Sequence, residues 1–139
     1  MNKLEEKNSI DIRKKQIKKI EYHLKNYNNY MAAIRNLKKQ LEYQESREKL
    51  SINDSSTRTS VIVSLKSKLS QNQIIIESID IAISELNEIE KQLVTYRYFK
   101  NWTIKKTAMQ IGYSDKSLFV IRNQLMDKLI ISLSSILHL

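Results

Sequence analysis

The 139-residue chain contains no cysteine, no proline and a single glycine, Gly112. Without cysteine there is no disulfide framework, no thiolate nucleophile and no thiolate zinc site. The two histidines, His23 and His138, stand far apart in sequence, which argues against a His-rich metal cage. One glycine cannot build the phosphate cradles of P-loop or dinucleotide type, because each needs several. Sandwiches and barrels turn the chain many times and rely on Gly and Pro to do so. No run of about 18 apolar residues occurs, so no membrane-spanning helix is expected. The nearest candidate, Ile74 to Ile83, is interrupted by Glu77 and Asp80, and the apolar tail Leu129 to Leu139 is too short. The first residues, MNKLEEKNSI, are too polar for the apolar core of a secretion signal. The expectation is an all-α, cytoplasmic protein that uses no metal and no cofactor.

What the chain does have is positive charge, unevenly placed. The net charge is +9, with 24 Lys and Arg against 15 Asp and Glu. Residues 1–50 carry 13 basic and 7 acidic side chains, residues 51–93 carry 4 and 6, and residues 94–139 carry 7 and 2. A basic C-terminal block on a helical protein suits a polyanion, and nucleic acid above all. A solvated lysine-rich surface has the same composition, so charge alone does not decide.

Hydrophobic periodicity divides the chain into four parts. Residues 1–50 form an N-terminal helical region, in which Ile17, Ile20, Leu24, Tyr27, Met31 and Ile34 recur at steps of three and four. Lys38 interrupts this seam and Leu41 resumes it. A continuous helix of 40 residues would reach about 60 Å, so a long helical hairpin or a coiled coil is expected, with Asn26, Asn28 and Asn29 as the place for a kink. Residues 51–60, SINDSSTRTS, read as a flexible linker. A connecting helix follows over 61–92, with Leu65, Leu69, Ile76, Ile79, Ile83, Leu86 and Leu93 able to share a face, and Ser70 to Gln73 as its weakest point. It pairs with the first helix in an antiparallel hairpin, or copies pair between chains. Tyr22, Tyr27, Tyr30 and Tyr43 can stack bases, but their helical spacing favours packing.

Residues 93–139 carry the chemistry. Thr103 suits an N-cap, since its hydroxyl can accept from the backbone N–H groups of the first turn. Ala108 is small enough for a close helix crossing, with Ile104, Thr107 and Ile111 on the inner face. Gly112 stands where the chain must leave the helix, and it takes positive φ without a Cβ penalty. Tyr113 can plug the gap between helices, and Ser114 caps the next helix. Leu118, Ile121, Leu125 and Leu129 then face inward. Two short helices around a tight turn make a helix-turn-helix, whose second helix enters the major groove of DNA.

These landmarks carry a resemblance. Leu93 to Leu129, with Arg97-Tyr98-Phe99, Trp102-Thr103, Ala108, Ile111-Gly112-Tyr113-Ser114 and the Leu125 to Leu129 turn, resembles the C-terminal promoter-recognition domain of bacterial sigma factors. The whole chain resembles RinA and ArpU-like regulators of phages and prophages in Gram-positive bacteria. There Ile20-Glu21-Tyr22, Asn26-Tyr27 and Ile34 to Leu41 resemble the N-terminal part and Ser55-Ser56-Thr57 the linker. The resemblance implies a late-gene activator acting in the bacterial cytoplasm with the host RNA polymerase. The chain has Lys105 and Lys106 where sigma factors carry a Glu-Glu-like pair, and its second helix begins Asp115, Lys116, Ser117. The promoter sequence read by sigma factors therefore does not carry over.

Within the motif, base reading falls to Asp115, Lys116, Ser117, Val120 and Asn123. Lys116 can donate to guanine, Asp115 can accept from cytosine, Asn123 can pair with adenine and Val120 can touch a thymine methyl. Asp115 equally suits the positive end of the helix dipole. Lys100, Thr103, Lys105, Lys106, Ser114 and Arg122 are the candidates for phosphate, whose contacts orient the protein and dominate salt dependence. Trp102 is expected beside Tyr98 as a core anchor, with Tyr96 and Arg97 in the supporting helix and Phe119 against the preceding helix. The apolar tail covers the core or meets another protein, and a homo-oligomer, favoured as a dimer, would place two reading helices about 34 Å apart. Two other readings remain: a small-terminase-like DNA-packaging protein, and a helical protein-interaction module that reads no DNA. Enzyme activity is not expected, because paired acids such as Glu88 and Glu90 point different ways and lack a partner.

Overall fold

A computed structural model describes residues 2–50 and 55–139. Among them the protein is all-α, with six α-helices, one π-helical turn and no strand. The helices are α1 (Lys3–Lys25), α2 (Tyr27–Leu50), α3 (Ser55–Ser84), α4 (Glu88–Val94), α5 (Ile104–Ile111) and α6 (Asp115–Leu133). Thr95–Phe99 continues α4 as the π turn. No helix among the described residues is long and apolar enough to cross a membrane.

The first helical region breaks at Asn26, inside the Asn-rich stretch. Asn26 ends α1, and both its backbone N–H and its Nδ2 donate to the Tyr22 carbonyl, at 3.1 and 2.8 Å. A short amide side chain that bonds its own backbone competes with the helix. Along α2, Ile34, Leu37 and Leu41 are buried and Lys38 is exposed, so Leu37 takes the seam position at which Lys38 was an interruption.

Two expectations about the middle of the chain change. Residues 55–60 were expected to be linker, yet they are the first turns of α3. Ser and Thr are only modestly poor helix formers, and Ile62 and Leu65 bury their side chains just beyond. The rest of the expected linker, 51–54, lies outside the described residues. The second helical stretch does not break at Ser70 to Gln73 either. It breaks after Ser84, where Asn87 opens α4 with a reciprocal capping box. Asn87 Oδ1 accepts from the Glu90 N–H at 2.9 Å, and Glu90 Oε1 accepts from the Asn87 N–H at 3.0 Å.

The chain divides into two compact units, Asn28–Glu77 and a second one that holds the segment up to Tyr27 together with Ser78–Leu139. In the first, Leu37 and Leu41 of α2 pack on Ile62 and Leu65 of α3, with Leu69 against them. Polar contacts run in opposite order along the two helices. Arg58 donates to the Arg47 carbonyl at 2.8 Å, and Lys66 pairs with Glu45 at 3.9 Å.

The other unit departs from the expected boundaries at 50, 60 and 92. Helix α1 belongs with the C-terminal helices, where it packs on α6 and on the π turn. Its Ile17, Ile20 and Leu24 are buried, as are Ile79 and Ala82 at the end of α3. Leu93 and Val94 of α4, with Leu118, Leu125, Met126, Leu129 and Leu133 of α6, complete the core. Leu137 is buried beyond the end of α6, so the apolar tail covers this unit's own core, although Ile131 remains 81% exposed.

Polar groups tie the helices together. Arg13 of α1 pairs with Asp127 of α6 and donates to the Asn123 carbonyl at 3.2 Å. Buried Glu90 also accepts from Lys128 of α6 at 2.7 Å. Glu21 of α1 bridges two further elements. One carboxylate oxygen accepts from Tyr98 at 2.7 Å and the other from Arg122 at 3.1 Å.

Tyr98 is buried in the π turn and bonded to that carboxylate, and burial followed by the Glu21 hydrogen bond pushes its phenol pKa up from 10. A folded-state pKa above the unfolded value holds its stabilisation below pH 10 and loses it as the pH climbs. Denaturation profiles should therefore show stability falling above pH 10. Tyr98→Phe should cost about 1.5–3 kcal/mol at neutral pH, the range for a hydrogen bond to a charged group, and should flatten part of that alkaline limb.

Candidate nucleic-acid interface

Helices α5 and α6 are joined by Gly112, Tyr113 and Ser114. Thr103 Oγ1 accepts from the Lys106 N–H at 3.1 Å and so caps α5. Thr107, fully buried, donates from Oγ1 to the Thr103 carbonyl at 2.8 Å. Ala108 is buried beside it. Gly112 ends α5 in the left-handed region at φ 86°, with its N–H on the Ala108 carbonyl at 2.8 Å. Ser114 then caps α6: its Oγ accepts from the Ser117 N–H at 3.1 Å and donates to Ser117 Oγ at 2.9 Å. Both helix starts and the turn between them are thus set by local chemistry.

The expected base-reading residues separate into two groups. Asp115, Lys116 and Val120 are exposed at the start of α6. Ser117 is half-buried and engaged with Ser114. Asn123 is half-buried too, and α1 lies against it, since Arg13 donates to its carbonyl. Two further apolar residues are open where packing was expected. Phe119 is 59% exposed rather than covered by the preceding helix, and Tyr113 is 43% exposed rather than a plug. Tyr113 instead lines a shallow groove with Asn87, Ile89 and Ile121.

The expected phosphate residues divide as well. Lys105 and Lys106 are exposed in the first turn of α5, and Lys100 is exposed in the preceding loop. Thr103 and Ser114 are exposed, with their hydroxyls engaged as caps. Arg122 belongs elsewhere. Its guanidinium lies on Glu21, and both side chains are largely screened from solvent, at 26% and 21% exposure. An arginine held by a carboxylate at that depth serves the α1–α6 contact. Sequence could not show this, because Glu21 is 101 residues away.

Trp102 also differs from expectation. It stacks on Tyr96, not on Tyr98, with ring centroids 4.6 Å apart and planes 5° from parallel. Lys106 Nζ lies 4.1 Å from the Trp102 centroid, and Lys100 Nζ lies 5.3 Å from both ring centroids. Cations over indole faces are attracted by the ring quadrupole. The π turn makes this possible, because its aromatic residues turn to different partners: Tyr96 to Trp102, Tyr98 to Glu21 and Phe99 to Tyr27, the last stacked at 4.5 Å. Asn101, at φ 57°, carries the chain round to Trp102, in a conformation that Asn tolerates. The Trp102 backbone N–H donates to the Tyr96 carbonyl at 2.8 Å, and Arg97 donates to the Trp102 carbonyl at 2.6 Å.

Among the described residues no group of His, Cys, Asp and Glu could hold a metal ion. No protein-family model, curated protein or solved structure matches the chain.

A Cβ at Gly112 would meet nothing within 4 Å, so only its backbone angle resists substitution. Gly112→Ala should therefore cost about 1–2 kcal/mol, the left-handed penalty of an L-residue. Gly112→Asn should cost less. Chemical denaturation of both variants checks this, and equal losses would contradict it.

Proposed function

We propose that the chain is a sequence-specific regulator that binds double-stranded DNA through α5 and α6. The observation that supports this reading most is the capped turn of Thr103, Gly112 and Ser114. It is followed by a helix whose buried face carries Leu118 and Leu125 while Asp115, Lys116, Phe119 and Val120 stay exposed. In a helix-turn-helix, the N-terminal residues of the second helix meet the base edges. Lys116 and Asp115 supply a donor and an acceptor for that purpose, and Val120 and Phe119 supply apolar contact for a thymine methyl. Lys105, Lys106 and Lys100 supply phosphate contacts around the start of α5. The stack beneath Lys100 and Lys106 limits where those ammonium groups can reach.

The resemblance to RinA and ArpU-like regulators extends this reading to a phage or prophage late-gene activator that works with the host RNA polymerase, most simply as a dimer. The competing assignments, a packaging protein and an interaction module, have no specific observation in their favour.

Footprinting on DNA from the protein's genomic neighbourhood, repeated across a salt series, tests the reading. A discrete protected site that survives moderate salt is expected, and diffuse, salt-labile coating would refute sequence reading. Lys116→Ala should change sequence preference by about 1–3 kcal/mol at one position. Lys105→Ala should weaken specific and random DNA about equally and lower the salt slope by about one unit.

A further inference from the structure

Helix α1 carries an organised positive surface that the base-reading account does not use. Lys3, Lys7, Lys14, Lys18 and Lys25 are all exposed, and they recur at steps of four, seven, four and seven. At 3.6 residues per turn, these five side chains fall within about 60° of one another around the helix. The stripe adjoins the buried stripe of Ile17, Ile20 and Leu24 instead of opposing it. Its acids do little to cancel it. Glu5 and Glu6 fall elsewhere on the helix and Asp11 stands at the margin. Glu21 lies within the stripe, but its carboxylate is engaged by Tyr98 and Arg122.

The docking of α1 brings this stripe to the candidate reading helix. Ser9, Ile12, Arg13 and Gln16 border Asp127, Ile130 and Ile131 of α6. Further along α1, Lys14, Lys18 and Glu21 border Arg122. Glu21 and Arg122 in turn line a cavity with Phe119 and Ile104. Helix α1 therefore runs opposite to α6, and its C-terminal half approaches the end of α6 that exposes Lys116 and Val120.

We propose that α1 is a second DNA-contacting element, in which Lys14, Lys18 and Lys25 meet the phosphate backbone beside the groove entered by α6. The inference rests on the DNA-binding reading above. Lys3 to Lys25 spans about 33 Å at 1.5 Å per residue, close to one helical turn of DNA at about 34 Å. The stripe can thus follow the backbone beyond the few base pairs one reading helix covers. The N-terminal helix would then set how firmly the protein grips DNA of any sequence, while α6 sets which sequence it prefers.

The test compares wild type with Lys14→Gln/Lys18→Gln/Lys25→Gln, measuring affinity for the footprinted site and for random duplex from about 50 to 200 mM salt. Loss of three phosphate contacts should lower the salt slope by about 2.7, from about 0.9 per contact, with specific and random affinity falling together. The corresponding Lys→Arg triple should restore both, which separates charge from folding. The absence of native cysteine allows a second readout. Lys18→Cys carrying a tethered iron–EDTA group should cleave DNA at one edge of the protected site.

An unchanged slope with no cleavage, while Lys105→Ala still lowers the slope, would overturn the role of α1 and leave DNA reading in place. The stripe would then serve solvent or an acidic protein. Wild type that binds no duplex even at low salt would overturn both.

Discussion

The Glu21 carboxylate is the interaction on which the arrangement of the C-terminal helices depends. It lies on α1, yet its two oxygens hold the phenol of Tyr98 in the π turn and the guanidinium of Arg122 in α6. A partly buried charge with both oxygens engaged by separate elements fixes their relative position more tightly than apolar packing, which is not directional. Removing one partner would leave the others partly desolvated and unpaired, the costly case for a buried ion pair. Arg13 with Asp127, and Lys128 with Glu90, add ion pairs to α6 further along its length. The result is a helix-bearing unit in which the first residues of the chain support the last.

That support allows the α5–α6 turn to be built from weak local parts. An eight-residue helix has little stability alone. Thr103, Gly112 and Ser114 satisfy its ends and the start of α6. The core beneath, with Thr107, Ala108, Leu118 and Leu125 all buried, fixes the face that remains outside. Exposure of Asp115, Lys116, Phe119 and Val120 thus follows from the same packing that buries Leu118, which lies within three positions of each of them.

Much of this was legible residue by residue where the cause is local. The all-α class follows from the absence of proline, the single glycine and the apolar periodicity. The caps at Thr103 and Ser114 and the left-handed Gly112 were readable because each depends on residues within one turn. The break at Asn26 was readable for the same reason, and the Asn87–Glu90 capping box could have been, since its spacing of three is a helix-start signature. The turns of α3 at 55–60 were not legible, because local propensity gave way to the packing of Ile62 and Leu65. What sequence could not give were partners at long range. A heptad stripe says that α1 packs, not that it packs on α6. An arginine on a basic helix looks the same whether it faces phosphate or Glu21. The π turn shifted Trp102 from Tyr98 to Tyr96, and a one-residue change in helical phase leaves no mark in composition. The α1 lysine spacing was visible throughout, but it acquires meaning only once α1 lies beside α6.

The central claim is that α1 and the C-terminal helices form one cooperative unit. Native-state hydrogen exchange tests it directly. The account predicts that amides of Ile17 to Leu24 share the opening free energy of the α6 core from Leu118 to Leu129, and that Glu21→Gln lowers both together. Exchange over Ile17 to Leu24 that is orders of magnitude faster than over α6, and indifferent to Glu21→Gln, would contradict it and make α1 a helix that opens on its own.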